Sequence, residues 1–174
     1  MKDGVVLVGF MGAGKTSVGR HLAKQLKLPW VDTDRMIEEA LGRKISEVFA
    51  QHGEAAFREL EFDTLEELTH RPAAVYSTGG GIVTRDENWA IMRQLGPIVY
   101  LRADPATLFE RVRHHTHRPL LHTDNPQASF HALFEARREK YERADLVIDT
   151  DHRRSEDVAS ELATRLQEYL SPEA

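Results

Sequence analysis

The eight residues Gly9-Phe10-Met11-Gly12-Ala13-Gly14-Lys15-Thr16 carry the most specific chemistry in this chain. They satisfy G-x-x-x-x-G-K-[ST] in full, directly after an apolar run and directly before an amphipathic pattern, which is the context that gives this motif meaning. Glycines let consecutive backbone N–H groups curl around phosphate oxygens, and a helix starting near Lys15 turns its positive end toward the same anion. Gly12, Ala13, Gly14, Lys15, Thr16 and Ser17 are therefore the candidate nucleotide-binding residues. Lys15 would reach the β/γ oxygens and Thr16 would offer its hydroxyl to Mg²⁺. A plain glycine turn is the competing reading, and the flanking strand and helix weigh against it.

Such a centre usually has a second carboxylate at the end of a hydrophobic strand. "AAVYST" (73–78) ends instead in Ser77-Thr78 and leads into Gly79-Gly80-Gly81. Asp149 closes "LVID" but belongs to the last strand-like run, and it reads as a strand end near the nucleotide base. Asp32 and Asp34, in "WVDTD", are the better pair. Two residues apart in an extended segment, they point to one side, and they lie at a strand's C-terminal end, where ligands gather in open α/β sheets. Adjacent carboxylates repel unless a cation or hydroxyl donors lie between them. Asp32 is assigned to the Mg²⁺ shell through water. Asp34 is then free to accept a hydrogen bond from an acceptor alcohol, either taking its proton or only orienting it, with N-capping of the helix "RMIEEAL" as the alternative use of that side chain.

Arg58, in "GEAAFRELE" (53–61), is either an i,i+3 partner for Glu61 on a solvated face or a ligand. Its company favours a ligand: Arg58, Arg137 and the triple glycine follow different strands, and a planar carboxylate is best held by guanidinium forks and close backbone N–H groups. His114, His115, His117 and His122 fall in "HHTHRPLLHTDNPQ" (114–127), interrupted by Pro119 and Pro126. Metal ligands need rigid supports that such a loop lacks, so these histidines read as solvated.

The elements that must position these residues are legible as apolar runs: 5–10, 29–32, 73–78, 97–102 and 145–150. Alternating with helical patterns, they predict an α/β fold, a three-layer α/β/α arrangement on a five-stranded parallel sheet. Val18, Leu22 and Leu26 form one helical stripe, and Val158, Leu162, Leu166 and Leu170 another. Residues 32–68 hold two or three helices and no strand, a helical insertion after the second strand.

With 174 residues, 41% of them hydrophobic, the chain suits a single domain over 1–174. A net charge of −5 argues against an extended nucleic-acid face and for a small-molecule substrate. The absence of cysteine excludes disulfides, thiolate zinc sites and a cysteine nucleophile, and fits a reducing compartment. Val5 to Met11 is too short to span a membrane, and Asp3 before it, with no cleavage pattern after it, opposes a signal peptide; the expectation is a cytoplasmic protein.

In order and spacing, "GFMGAGKTSVG", "DTD" (32–34), "GEAAFRELE", "STGGG" (77–81), "RPLL" (118–121) and "RREKYERAD" (137–145) resemble the shikimate kinase family over nearly the whole chain. The resemblance implies a P-loop kinase fold like that of the nucleoside-monophosphate kinases, with a helical substrate-binding region at about 33–61 and a mobile lid at about 113–126. It implies ATP-dependent, Mg²⁺-assisted phosphorylation of the 3-hydroxyl of shikimate in aromatic amino-acid biosynthesis, by a monomer with small-molecule substrates and neither nucleic acid nor membrane as partner. Carried onto this chain, Lys15, Asp34 and Arg118 would be catalytic. Arg58 and Arg137 would clamp the shikimate carboxylate, while Asp34 and the Gly79, Gly80 and Gly81 backbone hold the ring hydroxyls. Arg118 would close over the phosphates, Arg111 pack against adenine, and Arg153 neighbour the base. Arg138 adjoins Arg137, and the four-residue distance to Tyr141 selects the first. The rivals are a P-loop kinase for another hydroxy acid such as gluconate, and a nucleotide switch, which would carry an Asn-Lys-x-Asp base reader that this chain lacks.

Overall fold

The five apolar runs become five parallel strands in a computed structural model that describes residues 4–113 and 124–171. They are β1 (Val5–Val8), β2 (Trp30–Asp32), β3 (Val75–Ser77), β4 (Ile98–Arg102) and β5 (Leu146–Asp149), side by side in the order β2-β3-β1-β4-β5. Each is shorter than its apolar run, because residues such as Gly9 and Phe10 already belong to the connection that follows. β1 is buried along its whole length, since helices cover both faces of the sheet, and a strand covered twice reads as continuous rather than alternating hydrophobicity.

Seven helices frame the sheet among the described residues: α1 (Lys15–Leu26), α2 (Thr33–Leu41), α3 (Ile45–Thr69), α4 (Asp86–Leu95), α5 (Pro105–Val112), α6 (Pro126–Tyr141) and α7 (Ser155–Leu170). α1 packs on α7, and α3 on α4. Val18 and Leu22 are buried and Leu26 is half-buried; Val158, Leu162 and Leu166 are buried in the facing helix. Leu170 departs from the predicted stripe at 49% exposure, because it ends α7 and the final turn, with Tyr169, has left the core.

The helical insertion after β2 is α2 and α3. α3 is broken at Gly53 (φ 79°, ψ 178°), so the insertion has three helical pieces, and Gly42 ends α2 in the left-handed conformation (φ 63°) that glycine adopts without strain. The pieces enclose a small core of their own, Ile37, Val48 and Phe57. The chain runs from β1 out to β2, returns to β3 and then crosses β1 to reach β4, so the strand order reverses beside β1, and the C-terminal ends of β1 and β3 form the crevice where open α/β sheets bind ligands.

Candidate active site

The phosphate loop leaves β1 and enters α1 through Gly14, whose left-handed backbone (φ 89°) is the N-cap. α1 has no side-chain cap and no acid in its own first turn, so its first backbone N–H groups suit an anion. Lys15 Nζ curls back to donate to Gly9 O (2.6 Å) and Phe10 O (3.1 Å). Gly12 is required twice over: its φ is 83°, and a Cβ there would lie 2.9 Å from Val112 Cγ1.

Where a carboxylate was missing at the end of β3, Ser77 does a bracing job. Its Oγ accepts from Trp30 Nε1 (3.0 Å) and donates to Lys15 O (2.8 Å), tying β2 and β3 to the start of α1. Asp32 faces the first turn of α1. Its Oδ2 accepts from Thr16 Oγ1 at 3.3 Å, while Oδ1 accepts from Arg35 N at 3.1 Å and so caps α2. The capping role therefore falls to Asp32 and not to Asp34, because α2 begins at Thr33. Two hard oxygen donors side by side suit Mg²⁺, which takes one or two protein oxygens and completes its shell with water and phosphate. Among the described residues, no cluster of three or more His, Asp or Glu side chains forms a protein-only metal cage.

Asp34 sits in the first turn of α2 with Oδ1 buried and without a protein hydrogen-bond partner. Burial, reinforced by the Asp32 charge and opposed by Lys15 and Arg58, pushes its carboxyl up to about 6. The triple glycine is where the pieces meet. A Cβ on Gly79 would lie 2.7 Å from Asp34 Oδ1 and 2.6 Å from Glu61 Oε1, and one on Gly81 would fall on the Arg58 guanidinium. A Cβ on Gly80 would face the phosphate loop, 3.6 Å from both Gly9 O and Met11 N.

Arg58 makes the i,i+3 pair with Glu61 that its spacing allowed, but in the interior and not on a solvated face. It pairs with Glu61 (2.5 Å) and Glu54 (2.9 Å) along its own helix, yet it lies against Gly81, and its Nε is buried without a partner. Arg137 is 5% exposed, 4.0 Å from Glu54 and 5.9 Å over the Phe10 ring, whereas Arg138 is exposed and pairs with Glu135. Glu61 was seen in the sequence only as a partner for Arg58. It is fully buried and faces Gly79, and burial, partly offset by Arg58, pushes its carboxyl up to about 7. Its place three residues after Arg58 was the available signal.

Arg111 bridges Gly12 O and Thr150 O, both at 3.1 Å, and with Ser17 and Arg153 it lines a cleft of about 230 Å³ beside the phosphate loop. Arg153 pairs with Glu161 (2.6 Å) and donates to Asp149 O (3.0 Å). The Asp149 carboxylate is held by Arg102 at 2.7 and 3.0 Å at the edge strand, away from Thr16 and Asp32. Arg118 and His114, His115, His117 and His122 lie outside the described residues, as does most of the expected lid.

A five-stranded parallel sheet with a phosphate loop after its central strand and a helical insertion after the next defines a P-loop kinase. Comparison with known proteins narrows the class. The shikimate kinase family profile matches residues 11–167. The chain is 43% identical over 165 residues to the shikimate kinase of Thermodesulfovibrio yellowstonii, covering 95% of this chain and 94% of that one. It is 47% identical over 147 residues to that of Burkholderia pseudomallei, covering 84% and 80%. The structure of shikimate kinase from Acinetobacter baumannii in complex with shikimate superposes with a TM-score of 0.90 at 38% identity, covering 98% of this chain and 94% of that one. The chain belongs to the shikimate kinase family.

Proposed function

We propose that this protein transfers the γ-phosphoryl group of ATP to the 3-hydroxyl of shikimate, giving shikimate 3-phosphate and ADP, the corresponding step of aromatic amino-acid biosynthesis. The observation that carries the reading is the position of Gly79 to Gly81, flanked on one side by Asp34, Glu61 and Arg58 and on the other by the phosphate loop. Acceptor and donor cradles thus share one backbone segment, and proximity of that kind is most of what phosphoryl transfer asks of a protein.

In this reading Gly12 to Ser17 hold the phosphates and Lys15 neutralises charge on the transferring group. Arg111 and Arg153 flank the base. Thr16 and, through water, Asp32 would hold Mg²⁺, which would supply charge neutralisation to the phosphates. Arg58 and Arg137 clamp the carboxylate, and the Gly79–Gly81 backbone and Asp34 hold ring hydroxyls. Asp34 takes the hydroxyl proton as the new O–P bond forms and the bond to the ADP oxygen breaks; a carboxyl raised to about 6 is a far better base than an ordinary one while still being ionised at neutral pH. Arg118, read from the "RPLL" motif, adds positive charge from the 113–126 lid, and residues 33–61 form the acid-binding part of a single domain. The lack of cysteine fits a reducing, cytoplasmic setting and the net charge of −5 fits small-molecule substrates, while the monomeric state is what the family resemblance implies.

The test is incubation with MgATP and shikimate, with mass detection of the phosphorylated acid, run beside gluconate and other hydroxy acids. Shikimate 3-phosphate in clear excess over every other product is expected. ADP release without a phosphorylated acid, or equal yield from gluconate, would overturn the reading.

A further inference from the structure

Tyr141 is buried completely, and its hydroxyl donates to the Gly80 carbonyl at 2.5 Å, reaching from α6 into the middle of the triple glycine. Its position is set from several sides. The ring stacks on Tyr100 of β4 (5.1 Å, 14°) and meets the edge of Phe10 in the phosphate loop (6.4 Å), and Arg137 stands one turn earlier on the same helical face. Burial pushes the phenol up, so it stays protonated, a donor, across the physiological range.

A peptide between two glycines turns over at little cost, because no Cβ opposes either orientation. The carbonyls on either side are engaged by the turn that follows: Gly79 O accepts from Ile82 N (3.2 Å) and Gly81 O from Thr84 N (3.0 Å). The Gly80 carbonyl is instead held by a side chain from a distant element. In a planar trans peptide the C=O and the following N–H point in opposite directions. We infer that the Tyr141 hydroxyl is a positioning group that locks the Gly80–Gly81 peptide in one orientation, turning the Gly81 N–H away from α6 and toward the acid held by Arg58 and Arg137. Helix α6 then sets both halves of the anion site, Arg137 directly and the glycine N–H through Tyr141.

This rests on the proposed shikimate site, and the test separates the two. In the full chain, Tyr141→Phe removes one oxygen and keeps the ring. Steady-state kinetics with each substrate varied, together with calorimetric binding of shikimate, are expected to show KM and Kd for shikimate raised about tenfold, while KM for ATP and kcat change less than about twofold. Adding Gly80→Ala to Tyr141→Phe places a methyl that meets nothing nearer than 3.6 Å and restrains the same peptide. It should recover about two- to fivefold of the lost affinity. A wild-type protein that does not phosphorylate shikimate sinks both readings. An active wild type whose Tyr141→Phe variant keeps its shikimate KM, loses every parameter together with Tm, or gains nothing from the added methyl sinks the lock alone.

Discussion

Thr16 Oγ1 donates to Asp32 Oδ2 at 3.3 Å, so the first turn of the phosphate-loop helix and the end of β2 meet at a pair of oxygens. The same carboxylate caps α2 with its other oxygen. Asp32→Asn keeps the cap, since Asn and Asp serve equally there, and removes the charge. Chelation of Mg²⁺ should abolish turnover of the wild type. In the variant, the Mg²⁺ concentration for half-maximal rate should rise about 10- to 100-fold, as it does when a group that steadies a metal shell is lost, with Tm nearly unchanged. A superimposable Mg²⁺ titration would leave Asp32 as a cap alone.

Asp34 predicts opposite effects on activity and stability. Burial raises its folded pKa from 3.8 to about 6, so the ionised form is the one the fold disfavours. The group's favourable contribution is complete below about pH 4 and is lost as pH rises through about 6. Asp34→Asn should therefore stabilise the protein at pH 7.5 by on the order of 1–3 kcal/mol, several degrees in Tm, and give no gain at pH 4. The same substitution should remove nearly all turnover, and wild-type kcat/KM should fall as pH drops through about 6. Equal Tm values for the two proteins at pH 7.5 would contradict the assigned environment.

The adjacent arginines of α6 should behave differently. Arg137 is buried beside Glu54 and the Phe10 ring, and Arg138 is exposed beside Glu135. Arg137→Ala removes charge-assisted hydrogen bonds of roughly 1.5–3 kcal/mol each, so KM for shikimate should rise about 10- to 150-fold. Arg138→Ala should stay within about twofold, as exposed pairs contribute little. The reverse order in a kinetic comparison would move the clamp to the other side of the helix.

The strands and the phosphate loop were legible in the sequence because each is a local pattern: a run of apolar residues, or glycines at fixed spacing between strand and helix. The choice of Arg137 over Arg138 was only half legible, since neighbours on a helix differ by about 100° and only the four-residue step to Tyr141 pointed inward. Which aspartate caps α2 was not legible at all. Asp32 and Asp34 are chemically equal candidates, and the helix starts two residues earlier than the charged run suggested. Glu61 escaped for a related reason: a carboxylate three residues from an arginine looks like any surface pair until the fold buries it against Gly79. Leu170 shows the converse, a periodic leucine at a helix end with no core left to enter.

Arg58 arrives at the cup with its counter-charge already supplied by Glu61 and Glu54 of its own helix, and Arg137 shares the latter. The cup is thus close to electroneutral before anything enters it, and stray inorganic anions gain little by lodging there. In the proposed reading, preference would fall instead on a molecule whose outline meets the donor edges left over, such as the buried Nε of Arg58, and whose hydroxyls reach the Asp34 oxygen. Selection at this end of the protein would then be made by shape rather than by field strength.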